Sequence, residues 1–346
     1  MKTMLLIPTL VISFGGSFLP EVMAQQPSPP PTNTKALTDG ENKELAEAAR
    51  DSERVVQLYK EGKYDEALPV AQRALLTREK LLGPADGRTA GALMNLAEVY
   101  LAKRNYGEAE KLFGRLLALY EKTFGKDSPQ TAIIVDSLAL TDYSKGDFKS
   151  AESLYLRAVS MREAALGAEH SDLGQPVFKL AEFYRSRGNY AKAEPLYLRA
   201  IAINDRSLAR TDPIAVHVIQ RYQCFIFESE GVSAGQKKLD GFFEARRAAS
   251  SPSRPDSGGV LNGRAISLPA PGYPAEARSI RASGVVLVQI TIDTDGKVID
   301  AKVVCGHPVF AKPSLDVAYR ARFTPTKLSG MPVKVNGIII YNFVAQ

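Results

Sequence analysis

Two cysteines and three histidines are the residues of this chain best suited to nucleophilic, redox or metal chemistry, and their spacing is poor for each. His170, His217 and His307 lie far apart, so there is no H-E-x-x-H zinc pair, and Cys224 and Cys305 alone cannot build a four-cysteine site. His307 stands between Gly306 and Pro308 with no ligand partner at useful spacing, and reads as a loop histidine. Asp293-Thr294-Asp295-Gly296 imitates the start of a calcium loop but lacks the distal Glu, so a hairpin turn is expected. Cys224 and Cys305 are expected as separately buried thiols, with a disulfide between them as the alternative if the chain is exported. No glycine-rich phosphate loop follows a strand and no G-x-S-x-G occurs. The expectation is a chain that is not an enzyme: no catalytic residue, no metal and no cofactor.

The elements that must carry any function begin after a leader. Lys2, an apolar run from Met4 to Pro20, and Val22-Met23-Ala24 describe a signal peptide over 1–24, cut after Ala24. The run is about 17 residues, the lower edge of what spans a bilayer, so an uncleaved inner-membrane anchor is the alternative. Residues 25–40 are rich in Pro, Ser and Thr and read as a disordered tether. A net charge of +6 is mild for this length, and with export it argues against nucleic acid as a partner.

A repeat follows. Gly62-Lys63-Tyr64, Arg104-Asn105-Tyr106, Gly146-Asp147-Phe148 and Gly188-Asn189-Tyr190 recur every 42 residues. Ala67, Ala109, Ala151 and Ala193 keep the same step, as do Arg73, Arg115, Arg157 and Arg199. In the second copy Leu93, Leu96, Ala97 and Tyr100 share one helical face, and Ala109, Leu112, Phe113 and Leu116 share the next, so each unit reads as two amphipathic helices. Small residues at Ala97 and Ala109 allow close packing, with Tyr100 and Phe113 filling the space between neighbours.

These positions resemble the tetratricopeptide repeat: Leu96, Ala97, Tyr100, Ala109 and Phe113 in copy two, Leu138, Ala139, Ala151, Tyr155 and Ala158 in copy three, Leu180, Ala181, Tyr184, Ala193, Tyr197 and Ala200 in copy four. The long period is similar to the kinesin-light-chain style of repeat. Copy one departs, with Arg54 and Ala71 in place of Leu and an aromatic, as an N-terminal cap would. The resemblance implies a helical solenoid over 41–249, closed by helices near 214–229 and 236–249. It also implies a peptide groove lined by the first helix of each pair, which by repeat register carries Met94, Asn95, Glu98, Asp136, Ser137, Leu140, Phe178, Lys179 and Glu182. An Asn at the place of Asn95 implies a bond to a peptide backbone; a plainly solvated surface is the alternative.

Residues 250–263, dominated by Pro, Ser and Gly, read as a linker. Beyond them the hydrophobic period changes to that of strands. The pattern predicts strands over 284–293, 297–304 and 331–344, a tight turn at 294–296 and a helix over 313–323. Tyr273-Pro274 opens a short helix. Tyr273-Pro274, Gly284, Asp295-Gly296, Phe323-Thr324-Pro325, Gly330-x-Pro332-Val333 and Tyr341-Asn342-Phe343 together resemble the TonB C-terminal domain, placed here at 264–346. The resemblance implies a periplasmic three-stranded antiparallel sheet whose last strand is an edge that takes a partner strand. Val333, Lys334, Val335, Asn336, Ile338, Ile340 and Asn342 would form that edge.

The chain is thus expected to be an α+β two-domain protein, an all-α repeat solenoid followed by a small α+β domain. The function expected is a periplasmic adaptor for protein or peptide partners of the cell envelope, among them an outer-membrane receptor. An energy transducer for outer-membrane transport with a retained N-terminal anchor is the alternative, and a homodimer through the C-terminal domain stays open.

Overall fold

A computed structural model describes residues 37–209, 212–248, 265–328 and 331–344. The expected signal peptide, most of the tether, the linker and Gly330 lie outside the described residues. The chain divides into two compact units, Met1–Pro176 and Val177–Gln346. Among the described residues no helix is long and apolar enough to cross a membrane.

The first unit is a run of helical pairs: α1 (Asp39–Lys60), α2 (Tyr64–Leu82), α3 (Gly87–Ala102), α4 (Tyr106–Phe124), α5 (Pro129–Lys145) and α6 (Phe148–Leu166). Every start but that of α2, which follows Lys63, is capped by a local side chain. The Thr38 hydroxyl accepts from the Glu41 N–H at 3.2 Å while the Glu41 carboxylate accepts from the Thr38 N–H at 2.8 Å, a reciprocal cap that satisfies two orphan donors. Asp86, Asn105, Ser128 and Asp147 cap the starts of α3 to α6 with side-chain oxygens. Ala97, Ala109, Ala139 and Ala151 are fully buried, which lets paired helices approach closely, and Phe113 fills the space between them. Tyr100 is only half-buried; its hydroxyl accepts from Gln72 Nε2 at 3.0 Å. The repeated arginines tie successive second helices together: Arg115 reaches Glu79 at 2.5 Å and Arg157 reaches Glu121 at 3.5 Å. Both pairs are partly exposed, so each contributes well under about 1 kcal/mol.

The second unit takes up the same pattern in α7 (Gly174–Ser186), α8 (Tyr190–Ser207), α9 (Pro213–Glu230) and α10 (Val232–Ala248). It continues with β1 (Ala265–Ser267), α11 (Ala275–Ser279), β2 (Gly284–Ile292), β3 (Val298–Cys305), α12 (Ala311–Ala318), β4 (Arg322–Phe323), β5 (Lys327–Leu328), β6 (Met331–Pro332) and β7 (Val335–Phe343). The main sheet is antiparallel in the order β3-β2-β7. One face carries Val286, Val288, Ile290, Ile339, Tyr341 and Phe343 and is covered by Phe310, Val317 and Ala318. Phe310 stacks on Phe343 with ring centroids 4.0 Å apart. Tyr273 closes this core from the side, its hydroxyl donating to the Ala282 carbonyl, while Pro274 caps α11.

Two elements differ from the sequence pattern. The helix expected to Phe323 ends at Ala318, because Phe323 is drawn into β4, where its N–H donates to the Gly296 carbonyl at 2.9 Å. The last strand does not start at Met331. β6 pairs back on β5, and the Val333 N–H is taken by the Thr326 carbonyl at 2.9 Å, so the edge begins at Val335.

Candidate functional site

The edge strand is the simpler of the two expected surfaces. β7 is paired with β2 from Gly284–Phe343 to Ile292–Val335, and it stands at the end of the sheet order. Alternation decides its faces: Ile339, Tyr341 and Phe343 enter the core, while Ile338 and Ile340 are half-buried on the other side and Asn336 and Asn342 are exposed. Val333 and Lys334 precede the strand, and Lys334 is exposed. Tyr341 Oη is buried without a hydrogen-bond partner among the described residues, and burial pushes its pKa up to about 12.

The turn that orders this sheet uses up the carboxylate that imitated a calcium loop. Asp293 Oδ1 accepts from the N–H groups of Asp295 at 2.9 Å and Lys297 at 2.8 Å, and the bond from Lys297 leads in holding its pKa low. His307 Nδ1 accepts from the Val309 N–H at 3.3 Å and starts a short 3-10 turn. Among the described residues no three His, Cys, Asp or Glu side chains gather as a metal site.

The residues expected to line a groove are divided between the two units, and most are buried. In the first unit Met94, Asn95, Glu98 and Asp136 are each less than one-tenth exposed, and Ser137 and Leu140 are half-buried. Asp136 is held by Arg162 of α6 at 2.8 Å, a pair with both side chains buried. Tyr59 lies near enough to Glu98 that the carboxylate adds to burial in raising its pKa.

In the second unit Phe178 and Glu182 are buried and Lys179 is half-buried. Glu182 is the hub of a cluster. Arg221 Nη2 donates to it at 2.6 Å and Arg185 Nη2 at 3.2 Å, and the Tyr197 hydroxyl donates as well. Burial pushes the Glu182 carboxyl up, but Arg221 and Arg185 outweigh it and hold the pKa below the usual carboxylate range. These acidic residues therefore spend their charge inside the repeats.

Sequence reasoning missed what lies on α9. Counting on by the repeat step, Gln220, Arg221 and Cys224 stand where Phe178, Lys179 and Glu182 stand one repeat earlier. Gln220 and Cys224 meet the C-terminal sheet, while Arg221 turns back to Glu182 of α7. Gln220 Nε2 donates to Gln289 Oε1 of β2 at 3.0 Å, and Cys224 is joined to Cys305 at the end of β3 by a disulfide. This corrects the expectation of two separate thiols: the two cysteines are brought together by the docking of α9 on β2 and β3, a tertiary contact with no sequence period. Leu287, on the sheet face turned away from the core, is fully buried. His217, one turn before Arg221, has its pKa lowered by burial first, then by Arg221, with Lys302 of β3 adding to the effect.

Comparison with known proteins agrees with this architecture. Residues 88–164, 178–210 and 58–86 match tetratricopeptide repeat models, and residues 269–344 match the model for the Gram-negative bacterial TonB protein C-terminal. Among solved structures, a kinesin-light-chain-type protein of Podosopora anserina with nearly identical TPR-like repeats is 20% identical, over 60% of this chain and 99% of its own, at a TM-score of 0.47. BtubC (BKLC) from P. vanneervenii is 17% identical over 65% of this chain and 98% of its own, at 0.45. A Rap protein complexed with competence and sporulation factor is 18% identical over 61% and 55%, at 0.46. No curated protein matches the chain. Tetratricopeptide repeats are units of protein–protein interaction, and the TonB C-terminal family is one of the Gram-negative envelope. The chain carries tetratricopeptide repeats followed by a TonB C-terminal domain.

Proposed function

We propose that this chain is a non-enzymatic adaptor of the periplasm, exported by the signal peptide of residues 1–24, which takes an extended segment of an envelope or outer-membrane protein along β7. The observation that carries this reading is the edge itself. β7 is nine residues long, is hydrogen-bonded to β2 on one side, and contains Ile338-Ile339-Ile340 with no charged residue. A soluble protein normally blunts such an edge with charge, proline or brevity. Strand addition would satisfy the outer backbone groups and give affinity from main-chain bonds. The disulfide supports export, since such bonds persist in oxidising compartments. The repeats would contribute a second, peptide-binding surface, whose partly exposed members in the groove register are Ser137, Leu140 and Lys179.

A photo-cross-linking experiment tests the edge. p-Benzoylphenylalanine replaces Asn336 or Asn342, both exposed on β7, or Asp300, exposed on β3, as control. The full chain is irradiated with detergent-solubilised Gram-negative outer membranes. A discrete adduct from the β7 positions and none from Asp300 is the expected result. Equal labelling from all three, or none, contradicts strand addition at β7.

A further inference from the structure

We propose that the Cys224–Cys305 disulfide is a redox latch which holds the C-terminal domain on the groove-register face of α9, and that a dithiol of the envelope opens it. This inference does not depend on which partner β7 takes.

The geometry couples the bond to the docking. The two cysteines are 81 residues apart in sequence, so without a covalent link the contact closes a long loop and must overcome its entropy. One polar contact at this face is a neutral hydrogen bond, amide to amide, between Gln220 and Gln289. Neutral bonds of that kind contribute little net free energy in water. Lys302 of β3 and Arg221 of α9 both disfavour the His217 cation at this face, with Glu182 opposing them. A tethered pair of surfaces meets at an effective concentration in the millimolar range. The contact also covers Leu287, fully buried on this face of β2, and the disulfide fixes it in place. Each partner keeps its own core when they part: the sheet packs on α12 through its other face, and α9 packs on α8 and α10.

The chemistry balances with a dithiol as the reductant. Cys305 is half-buried and Cys224 is 5% exposed, so the donor thiolate attacks Cys305 Sγ. The S–S bond breaks, Cys224 leaves as a thiolate and takes a proton, and a mixed disulfide forms at Cys305. The donor's second thiol resolves it, releasing Cys305 as a thiol and the donor as a disulfide. Two electrons and two protons pass to the protein. Opening uncovers Gln220 on α9 and Leu287 on β2, adding the last repeat to the surface that a peptide can reach.

The test uses the full chain with p-benzoylphenylalanine in place of Lys302, which is exposed on β3 beside His217. Irradiation of the oxidised chain is expected to give an intrachain adduct to the α9 peptide. Dithiothreitol is expected to lower its yield at least tenfold with the circular dichroism unchanged, and Cys224→Ala/Cys305→Ala to give the low yield without reductant. An unchanged yield after reduction overturns the latch, because the dock then holds without the bond. Loss of sheet signal on reduction also overturns it, since the bond would then support the fold. So does alkylation of both cysteines in the unreduced, denatured chain.

Discussion

Arg162 of α6 reaches back to Asp136 of α5 at 2.8 Å, with side chains 7% and 5% exposed. Removing one member of a buried pair strands the other charge in low dielectric. Asp136→Ala is therefore expected to destabilise the first unit by about 3 kcal/mol, read from the urea midpoint, where a solvated groove residue would lose about 0.5 kcal/mol or less. A loss below about 1 kcal/mol would return Asp136 to the open surface.

Arg104 occupies a left-handed conformation, φ 60°, where the other repeats place Gly62, Gly146 and Gly188. A side chain there crowds its own carbonyl, and glycine does not. Arg104→Gly is expected to raise stability by about 0.5–1 kcal/mol, the relieved strain exceeding the added chain entropy. A lower melting temperature would mean that Arg104 makes a compensating contact.

Gly296 has φ 83°, and a Cβ built there would lie 1.8 Å from the Phe323 carbonyl oxygen. Backbone cannot yield as a flexible side chain does. Gly296→Ala is expected to cost at least about 2 kcal/mol and to disturb the β2–β3 hairpin, visible as lost amide dispersion for Val298–Cys305. Near-native spectra would show that the turn can re-route.

His217 titrates in a setting that disfavours its cation. Burial and the positive charges of Arg221 and Lys302 lower its pKa from 6.5, with Glu182 opposing them. The unfolded chain then binds the proton first as pH falls. Stability is full above about pH 6.5 and declines below it until the folded form also protonates. His217→Phe, which keeps a ring against Phe178, is expected to flatten that decline in denaturant titrations at pH 7.5 and 5.5. An unaltered slope would assign it to other groups.

The repeats were legible because their packing residues recur at a fixed step: Ala109 and Phe113 are buried for the reason their spacing implies. The sheet was legible through the change to a strand period over 284–293 and 297–304. That Ile339, Tyr341 and Phe343 form the core side of β7 follows from the cover that Phe310, Val317 and Ala318 supply. The groove register was readable as positions but not as environment. Whether Asp136 and Glu182 meet solvent depends on Arg162 and Arg221, which follow no shared motif. Leu287 and Cys305 were opaque for a related reason: what covers them is α9, brought there by tertiary docking rather than by local pattern.

Hydrogen exchange along β7 tests strand addition most directly. In the isolated chain, alternate amides between Val335 and Phe343 point away from β2 and are expected to exchange fast, while their neighbours, bonded to β2, are protected. Solubilised outer-membrane protein is expected to slow the fast set at least tenfold and leave the protected set unchanged. Amides already uniformly protected in a monomer, with no change on that addition, would contradict an edge open to a partner strand.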